Sequence, residues 1–145
     1  MTTTTTTNLS GKRLNGADLS YTHLSGALLI GTSLTGANLT SANLSGTDLY
    51  GAILNNADLT DADLTNANFQ LAELRGAWLM NADLSYADLS GADLSYADLT
   101  DANLTNADLS NADLSRADLT GAILTGAILT GAKLKFAKLP EGFSV

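Results

Sequence analysis

The chain has 145 residues, enough for one domain, and contains no cysteine, which excludes a disulfide, a zinc site built on cysteine and a thiol nucleophile. Its formal net charge is −8, and residues 18–118 alone carry −12, because thirteen aspartates and one glutamate there outnumber two arginines. Such a surface repels nucleic acid and anionic membranes and attracts basic partners, so we expect no nucleic-acid ligand and no membrane ligand.

The N-terminal stretch MTTTTTTNLS has neither the basic nor the apolar region of a signal peptide. The longest aliphatic run, residues 27–30, is far too short to span a bilayer. We therefore predict a cytoplasmic protein. Residues 1–8 are interpreted as a flexible, threonine-rich tail in front of the first repeat.

A five-residue repeat without any insertion occupies residues 9–139. Leucine stands at 26 of the 27 repeat positions, with Phe69 as the exception, and alanine stands two residues earlier at 22 of 25 positions. In an α-helix, residues five apart point in different directions, and in a flat strand they point to opposite faces. A period of five that always turns leucine inward therefore requires the backbone to turn once per repeat, as in a solenoid coil.

The position two residues after each leucine indicates how the chain turns. Of the 26 such positions between 11 and 136, twelve are glycine, five asparagine and two aspartate, residues that tolerate the positive φ angle at the third position of a type II turn. At the other seven positions we predict a different turn or local strain. These positions are Tyr21, Ser41, Leu71, Tyr86, Tyr96, Arg116 and Phe136.

The A(D/N)LXX pattern, as in ADLSY at 82–86, resembles the pentapeptide-repeat family, which is common in cyanobacteria. The resemblance extends over residues 9–139 and implies an all-β fold, a right-handed quadrilateral parallel β-helix. Four pentapeptides would form each coil, which gives about 6.5 coils at twenty residues per coil. Leucine and alanine would point inward, and the Asp/Asn and turn residues outward. Residues 140–145, which begin with Pro140, are interpreted as a short capping segment in which Phe143 and Val145 fold over Leu134 and Leu139.

If four repeats form a coil, residues twenty apart lie on the same face, and the aspartates form short rows that we call acidic ladders. Two ladders end in a lysine, Lys133 after Asp113 and Lys138 after Asp118, which offsets like-charge repulsion between neighbouring strands. A glycosidase needs a cleft and a calcium site needs about six to eight oxygens, so a solvated face is favoured over catalysis and over weak calcium binding. The ladders are Asp63 with Asp83, Asp88 with Asp108, Asp93 with Asp113, and Asp98 with Asp118.

Large apolar residues at outward positions depart from the repeat pattern and predict an interaction patch, the alternative being single apolar residues scattered over the surface. Three residues twenty apart, Tyr96, Arg116 and Phe136, also predict a cation–π stack in one column. The predicted patch comprises Leu28, Ile30, Tyr50 and Leu71 on and beside one corner, and Trp78 and Met80, which form a second apolar spot on another face.

The sequence assigns no catalytic, cofactor-binding or metal-binding residue. His23 is the single histidine and occupies an outward position, the glycines follow the turn period instead of forming a phosphate loop, and the serines are spread over the corners. We therefore expect no enzymatic activity and no cofactor.

The predicted function is a non-enzymatic structural or protein-interaction module, a rigid acidic rod whose protein partner the sequence does not identify. An end-to-end or face-to-face homodimer is a further expectation, because an open coil leaves unpaired backbone at each end. The alternative is implied by the resemblance alone: some family members look like B-form DNA and bind DNA gyrase or topoisomerase IV. Against that alternative, this repeat has no projecting loops and its C-terminal segment is too short for a dimerising helix.

Overall fold

The computed structural model describes residues 6–143, which form single-residue β-bridges separated by turns, with no helix and no longer strand in that range. Each bridge residue immediately precedes a repeat leucine. Every bridge is parallel and joins residues twenty apart, from Asn8 with Leu28 to Asp118 with Lys138. The backbone therefore returns to the same column after every four repeats, which defines a parallel β-helix with twenty-residue coils.

Four columns of bridges run along the β-helix, and we number them as faces 1 to 4 in chain order. The two turn residues that follow the leucine of each face form the corner of the same number. The first bridge already includes Asn8, one residue before the predicted start of the repeats, and residues 1–5 lie outside the described range. Faces 1, 2, 3 and 4 begin with Asn8, Arg13, Asp18 and His23, respectively.

The core is one continuous stack in which each leucine and the alanine two residues earlier point inward. From Leu29 to Leu119 every repeat leucine is fully buried, and so is Phe69. Full burial of such a side chain contributes roughly 2 kcal/mol before chain entropy is counted. The leucines of the first and last coils, such as Leu9 and Leu139, are only half-buried, because each has a neighbouring coil on one side alone.

Three threonines replace alanine in the core, and each hydroxyl has a hydrogen-bond partner. Thr22 Oγ1 and Thr47 Oγ1 donate to the carbonyl oxygen of the leucine three residues earlier, at 2.6 and 2.7 Å. Thr32 Oγ1 donates to Leu9 O at 2.9 Å, which links the first two coils. Because these bonds satisfy the hydroxyls, the substitutions interrupt neither the stack nor the turns.

The turns are uniform. At all 26 corners the N–H of the residue after the turn donates to the leucine carbonyl three residues earlier, and the second corner residue has a positive φ. Positive φ at that position alone is the mark of a type II turn. Of the two alternatives predicted at the seven unusual positions, a different turn is wrong, and the structure has the same turn with local strain. Tyr21, Leu71 and Phe136, for example, have φ of 57°, 57° and 63°, a region that strains any residue with a bulky side chain.

Candidate interaction surfaces

The acidic ladders lie on the faces, and β-bridges join the members of each pair directly. Asp63 bridges Asp83 on face 4, and Asp88 bridges Asp108 on face 1. The remaining two pairs lie on faces 2 and 3. Neighbouring faces carry different ladders, so the carboxylates do not converge on one point. Their function as a binding site stays a prediction.

The face carboxylates also have a structural role that the sequence analysis did not identify. In every repeat, the N–H of the residue just after leucine has no backbone partner. The Oδ1 atom of each face Asp or Asn accepts this N–H from two residues ahead, as in Ser95 N–Asp93 at 2.9 Å and Ser110 N–Asp108 at 2.8 Å. This is an Asx turn, and it occupies one oxygen of each carboxylate.

Two repeats without a face Asp or Asn obtain the same cap from the preceding coil. Asn15 Oδ1 accepts the N–H of Thr35 at 3.1 Å, and Asn55 Oδ1 accepts the N–H of Arg75 at 3.0 Å. Both repeats lie on face 2. Pro140 occupies this N–H position after Lys138 and has no N–H to satisfy. Among residues 6–143, the repeats of Leu28, Ile53 and Trp78 have no such acceptor, so the cap is frequent without being present in every repeat.

Two ladders end in ion pairs, as predicted. Lys133 Nζ lies 3.1 Å from Asp113 Oδ2, and Lys138 Nζ lies 2.6 Å from Asp118 Oδ2. The hydrogen bond from Lys138 is the largest cause, followed by that from Thr120, of a pKa of the Asp118 carboxyl lowered from 3.8 to about 2. These pairs are exposed and contribute little to stability. Their main effect is to neutralise the C-terminal ends of faces 2 and 3.

The residues of the predicted apolar patch lie in two regions of the surface, one at corner 1 and the other at face 3 and corner 3. Tyr50 and Leu71 lie on corner 1 and line an open depression of about 400 Å³ together with Gln70, Ser90, Gly91 and Asn111. Ile30 lies on the same corner, and half-buried Leu28 lies on face 1 beside it. Trp78 belongs to face 3, where it bridges Asp58 and Asp98, and Met80 follows on corner 3.

The depression depends on a glycine. A Cβ atom added at Gly91 would lie 2.8 Å from Leu71 Cδ2, so the missing side chain makes room for Leu71 to lean across the next coil. At its edge, Gln70 Nε2 donates to Asp88 Oδ2 at 2.6 Å. Corner 1 therefore combines an apolar recess with a carboxylate of face 1.

Corner 2 carries a cation–aromatic ladder that is longer than the predicted stack. The Arg116 guanidinium lies 5.5 Å from the ring centroid of Tyr96 and 5.3 Å from that of Phe136. Arg75 covers the Tyr96 ring at 4.6 Å, and Lys135 Nζ lies 5.1 Å from the Phe136 ring. Three cations and two aromatic rings thus follow one another along a single corner of an otherwise acidic molecule.

The histidine and the acidic side chains of residues 6–143 do not form a cluster that could bind a metal ion. His23 is exposed and bridges Asn43, and no group of three or more histidine or acidic side chains in this range is arranged to hold a metal ion. No helix in the same range is long and apolar enough to cross a membrane.

The C-terminal segment begins to cover the last coil. Half-buried Phe143 donates its N–H to Pro140 O at 3.1 Å, and both residues line a cavity of about 350 Å³ with Ala122 and Leu124. Phe143 thus approaches Leu124, whereas the sequence placed it over Leu134 and Leu139. Val145, the other residue expected in this cap, lies outside the described range.

Comparison with known families gives the same organisation. Pentapeptide repeats match the chain in eight copies, at residues 6–36, 17–56, 42–79, 57–95 and 97–135. The chain belongs to the pentapeptide-repeat family. A comparison with curated proteins found no match.

Solved structures of pentapeptide-repeat proteins also match. HetL of the cyanobacterium Nostoc sp. strain PCC 7120, described as involved in the regulation of heterocyst differentiation, is 34% identical, with 96% of this chain and 87% of HetL covered and a TM-score of 0.32. Rfr23 of the cyanobacterium Cyanothece 51142 is 27% identical, with 91% and 90% covered and a TM-score of 0.42. QnrB1, a plasmid-mediated fluoroquinolone resistance protein, is 20% identical, with 91% and 72% covered and a TM-score of 0.46.

Proposed function

We propose that this chain is a non-enzymatic protein-interaction module, a rigid acidic rod that binds a basic partner protein along corner 1. The rod would be a right-handed quadrilateral β-helix of about 6.5 coils, roughly 30 Å long at about 4.8 Å per coil. The single observation that carries the proposal is the depression at Tyr50 and Leu71, which lies beside the carboxylates of face 1. A partner that fits it presents an apolar side chain flanked by lysine or arginine.

The proposal rests on exposed side chains that a rigid backbone holds in fixed positions. Every coil is held to its neighbours by backbone hydrogen bonds of about 2.7–3.1 Å, so the side chains at the corners have fixed positions. Tyr50 and Leu71 are 43% and 57% exposed, in adjacent coils of the same corner. An apolar anchor on a rigid surface binds with little loss of conformational entropy, and the surrounding carboxylates favour a cationic partner.

The proposal is tested by cross-linking and affinity capture from the cells that express the protein. The Leu71→Asn variant should lose the captured partner, and it should fold because the chain itself has asparagine at five equivalent turns. Asp63→Asn on face 4 keeps its backbone cap and serves as the matched control. If the same partner is recovered with all three proteins, corner 1 is not the binding surface.

A second candidate is a DNA mimic that binds DNA gyrase or topoisomerase IV. The observation that favours it is the capping geometry, because each ladder carboxylate on faces 1 and 2 is held in place by its own backbone, which gives regular rows of carboxylates. Rows of fixed negative charge imitate the phosphates that basic nucleic-acid-binding surfaces recognise.

The DNA-mimic proposal is tested in a gyrase supercoiling assay with the purified protein. Inhibition should disappear when the four ladder residues of faces 1 and 2 are changed to asparagine, since asparagine keeps the backbone cap and removes the charge. The same fold by circular dichroism is the control for the variant. Absence of inhibition by the wild-type protein rejects this candidate. The four residues are Asp88, Asp93, Asp108 and Asp113.

A further inference from the structure

We propose that the partner of corner 1 is a second copy of this chain, which inserts Phe136 of its cation–aromatic ladder into the depression. The inference rests on the proposed function, because it identifies the partner of the same surface. Contact between corner 2 of one molecule and corner 1 of another is heterologous, so it can continue from copy to copy.

The donor surface is the C-terminal end of corner 2, where the molecule is locally basic. Within residues 6–143, Arg116 and Lys135 have no carboxylate within ion-pair distance, although acidic faces lie on both sides. The nearest ladder ends are already neutralised by Lys133 and Lys138. Phe136 is 68% exposed between these two unpaired cations, which makes it an aromatic anchor with positive flanks.

The acceptor surface is the depression on corner 1, and the side chains beside it are acidic where those of the donor surface are basic. The depression of about 400 Å³ is open to solvent, and Tyr50 and Leu71 supply an apolar wall among polar lining residues. Asp88 and Asp108 stand in consecutive coils of face 1 beside it, and neither has a cation within ion-pair distance among the described residues. The recess therefore accepts an aromatic ring and offers carboxylates to the cations on either side of it.

The cations of the donor surface and the carboxylates of the acceptor surface follow the same coil spacing. Arg116 and Lys135 belong to consecutive coils of corner 2, and Asp88 and Asp108 to consecutive coils of face 1. Since both pairs belong to the same coil repeat of about 4.8 Å, a side-by-side arrangement of two copies would align the cations with the carboxylates coil by coil. This match of coil spacing and local charge is the reason to propose a second copy as the partner.

The test is sedimentation equilibrium of the purified chain over a wide range of concentration. The wild-type weight-average mass should rise above that of a single chain as the concentration increases. Phe136→Asn and Leu71→Asn should each weaken association by about tenfold or more, the loss expected for a central apolar anchor. Tyr21→Asn is the matched control, because it removes an aromatic residue that is 73% exposed from the same kind of turn on corner 3.

A mixing experiment tests the heterologous geometry. Phe136→Asn keeps the depression and Leu71→Asn keeps the anchor, so a mixture should form a complex of two chains that grows no further. Asp88→Asn should weaken association and Asp83→Asn should not, although both keep their backbone caps. A wild-type mass that stays at one chain at every concentration, or a mixture that remains monomeric, overturns the inference.

Failure of this inference is distinguishable from failure of the proposed function. A monomeric wild-type protein whose cellular partner is still lost with Leu71→Asn rejects the second copy and retains corner 1 as a binding surface. An associating protein whose association ignores Leu71→Asn rejects the second copy at corner 1, and corner 1 is rejected in both roles only if the captured partner also ignores Leu71→Asn.

Discussion

Asp93 provides the most direct test of what the face carboxylates do for the fold. Its Oδ1 atom accepts the N–H of Ser95 at 2.9 Å, and Ser95 is only 6% exposed. We compare Asp93→Ala with Asp93→Asn. Both changes remove the charge, and with it any repulsion from Glu73 and Asp113 on the same face. Only the alanine removes the acceptor, so the difference between the two variants isolates the backbone cap.

The expected difference follows from the burial of that N–H. It has no backbone partner, and water has little access to it because Ser95 is buried. A buried donor left unpaired costs about 1–3 kcal/mol, and loss of an equivalent cap at a helix terminus costs about 0.5–2 kcal/mol. We therefore expect Asp93→Ala to be less stable than Asp93→Asn by about 1–2 kcal/mol, or roughly 2–8 °C in Tm.

Thermal and urea unfolding followed by circular dichroism measure this difference. The same pair of substitutions at Asp48 gives an internal comparison, because Tyr50, which donates the corresponding N–H at 3.2 Å, is 43% exposed. Water can replace the cap there, so the difference between alanine and asparagine should be smaller. Equal stability of the alanine and asparagine variants at position 93 would refute the capping argument.

Three further outcomes are expected. Leu94→Asp should cost several kcal/mol, about 4 or more, and far exceed Asp93→Ala in a thermal scan, because Leu94 is fully buried and the new carboxylate has no partner. Tyr86→Asn should raise stability by about 1 kcal/mol in urea unfolding, because Tyr86 is strained at φ 61° and is 61% exposed; an unchanged midpoint contradicts this strain. Lys138→Gln should raise the pKa of Asp118 from about 2 toward 3.8 in an NMR titration. Since the depressed pKa contributes stability that is present above 3.8 and lost as pH falls toward 2, the variant should lose part of that acid sensitivity.

The stacking of the coils could be predicted from the sequence, whereas the behaviour of the unusual turns could not. A strict period of five with leucine and alanine inside predicts a solenoid that turns once per repeat, and the resemblance to the pentapeptide-repeat family implies four repeats per coil and hence the bridge between Asp88 and Asp108. Residue preferences at turns are local, and they predicted a different turn or local strain at Leu71 and Tyr86. In the structure, hydrogen bonds from neighbouring coils hold every corner in the same geometry, so the long-range ladder overrides the local preference.

The twenty-residue period alone predicts only part of the cation–aromatic ladder. Counting in steps of twenty finds Tyr96, Arg116 and Phe136 in one column. It misses Arg75 and Lys135, which occupy the first corner position instead of the second and reach the rings through long side chains. A search that combined both residues of each corner would have found them, since an aromatic ring attracts any cation within about 6 Å.

The backbone caps could have been predicted from the residue types at the face positions. Sixteen of the 27 face positions are Asp or Asn, the short side chains that bond to their own backbone two residues ahead. Glu occurs on a face only once, at position 73, and there Asn55 of the preceding coil supplies the cap. A preference for Asp and Asn over Glu on the faces is what the cap predicts and what charge alone does not.

The backbone cap uses an oxygen atom of each face aspartate but does not need its negative charge. Asparagine makes the same backbone cap as aspartate, as at Asn43 and Asn103, so the cap requires an oxygen acceptor and no charge. Eleven of the sixteen capping residues are nevertheless aspartate, and four of the bridges place two aspartates side by side, where like charges oppose the fold. The excess negative charge is therefore available for solubility or for binding a basic surface. Replacing aspartate by asparagine changes that charge while leaving the coils in place, which is why the same substitution can test each of the proposed interactions.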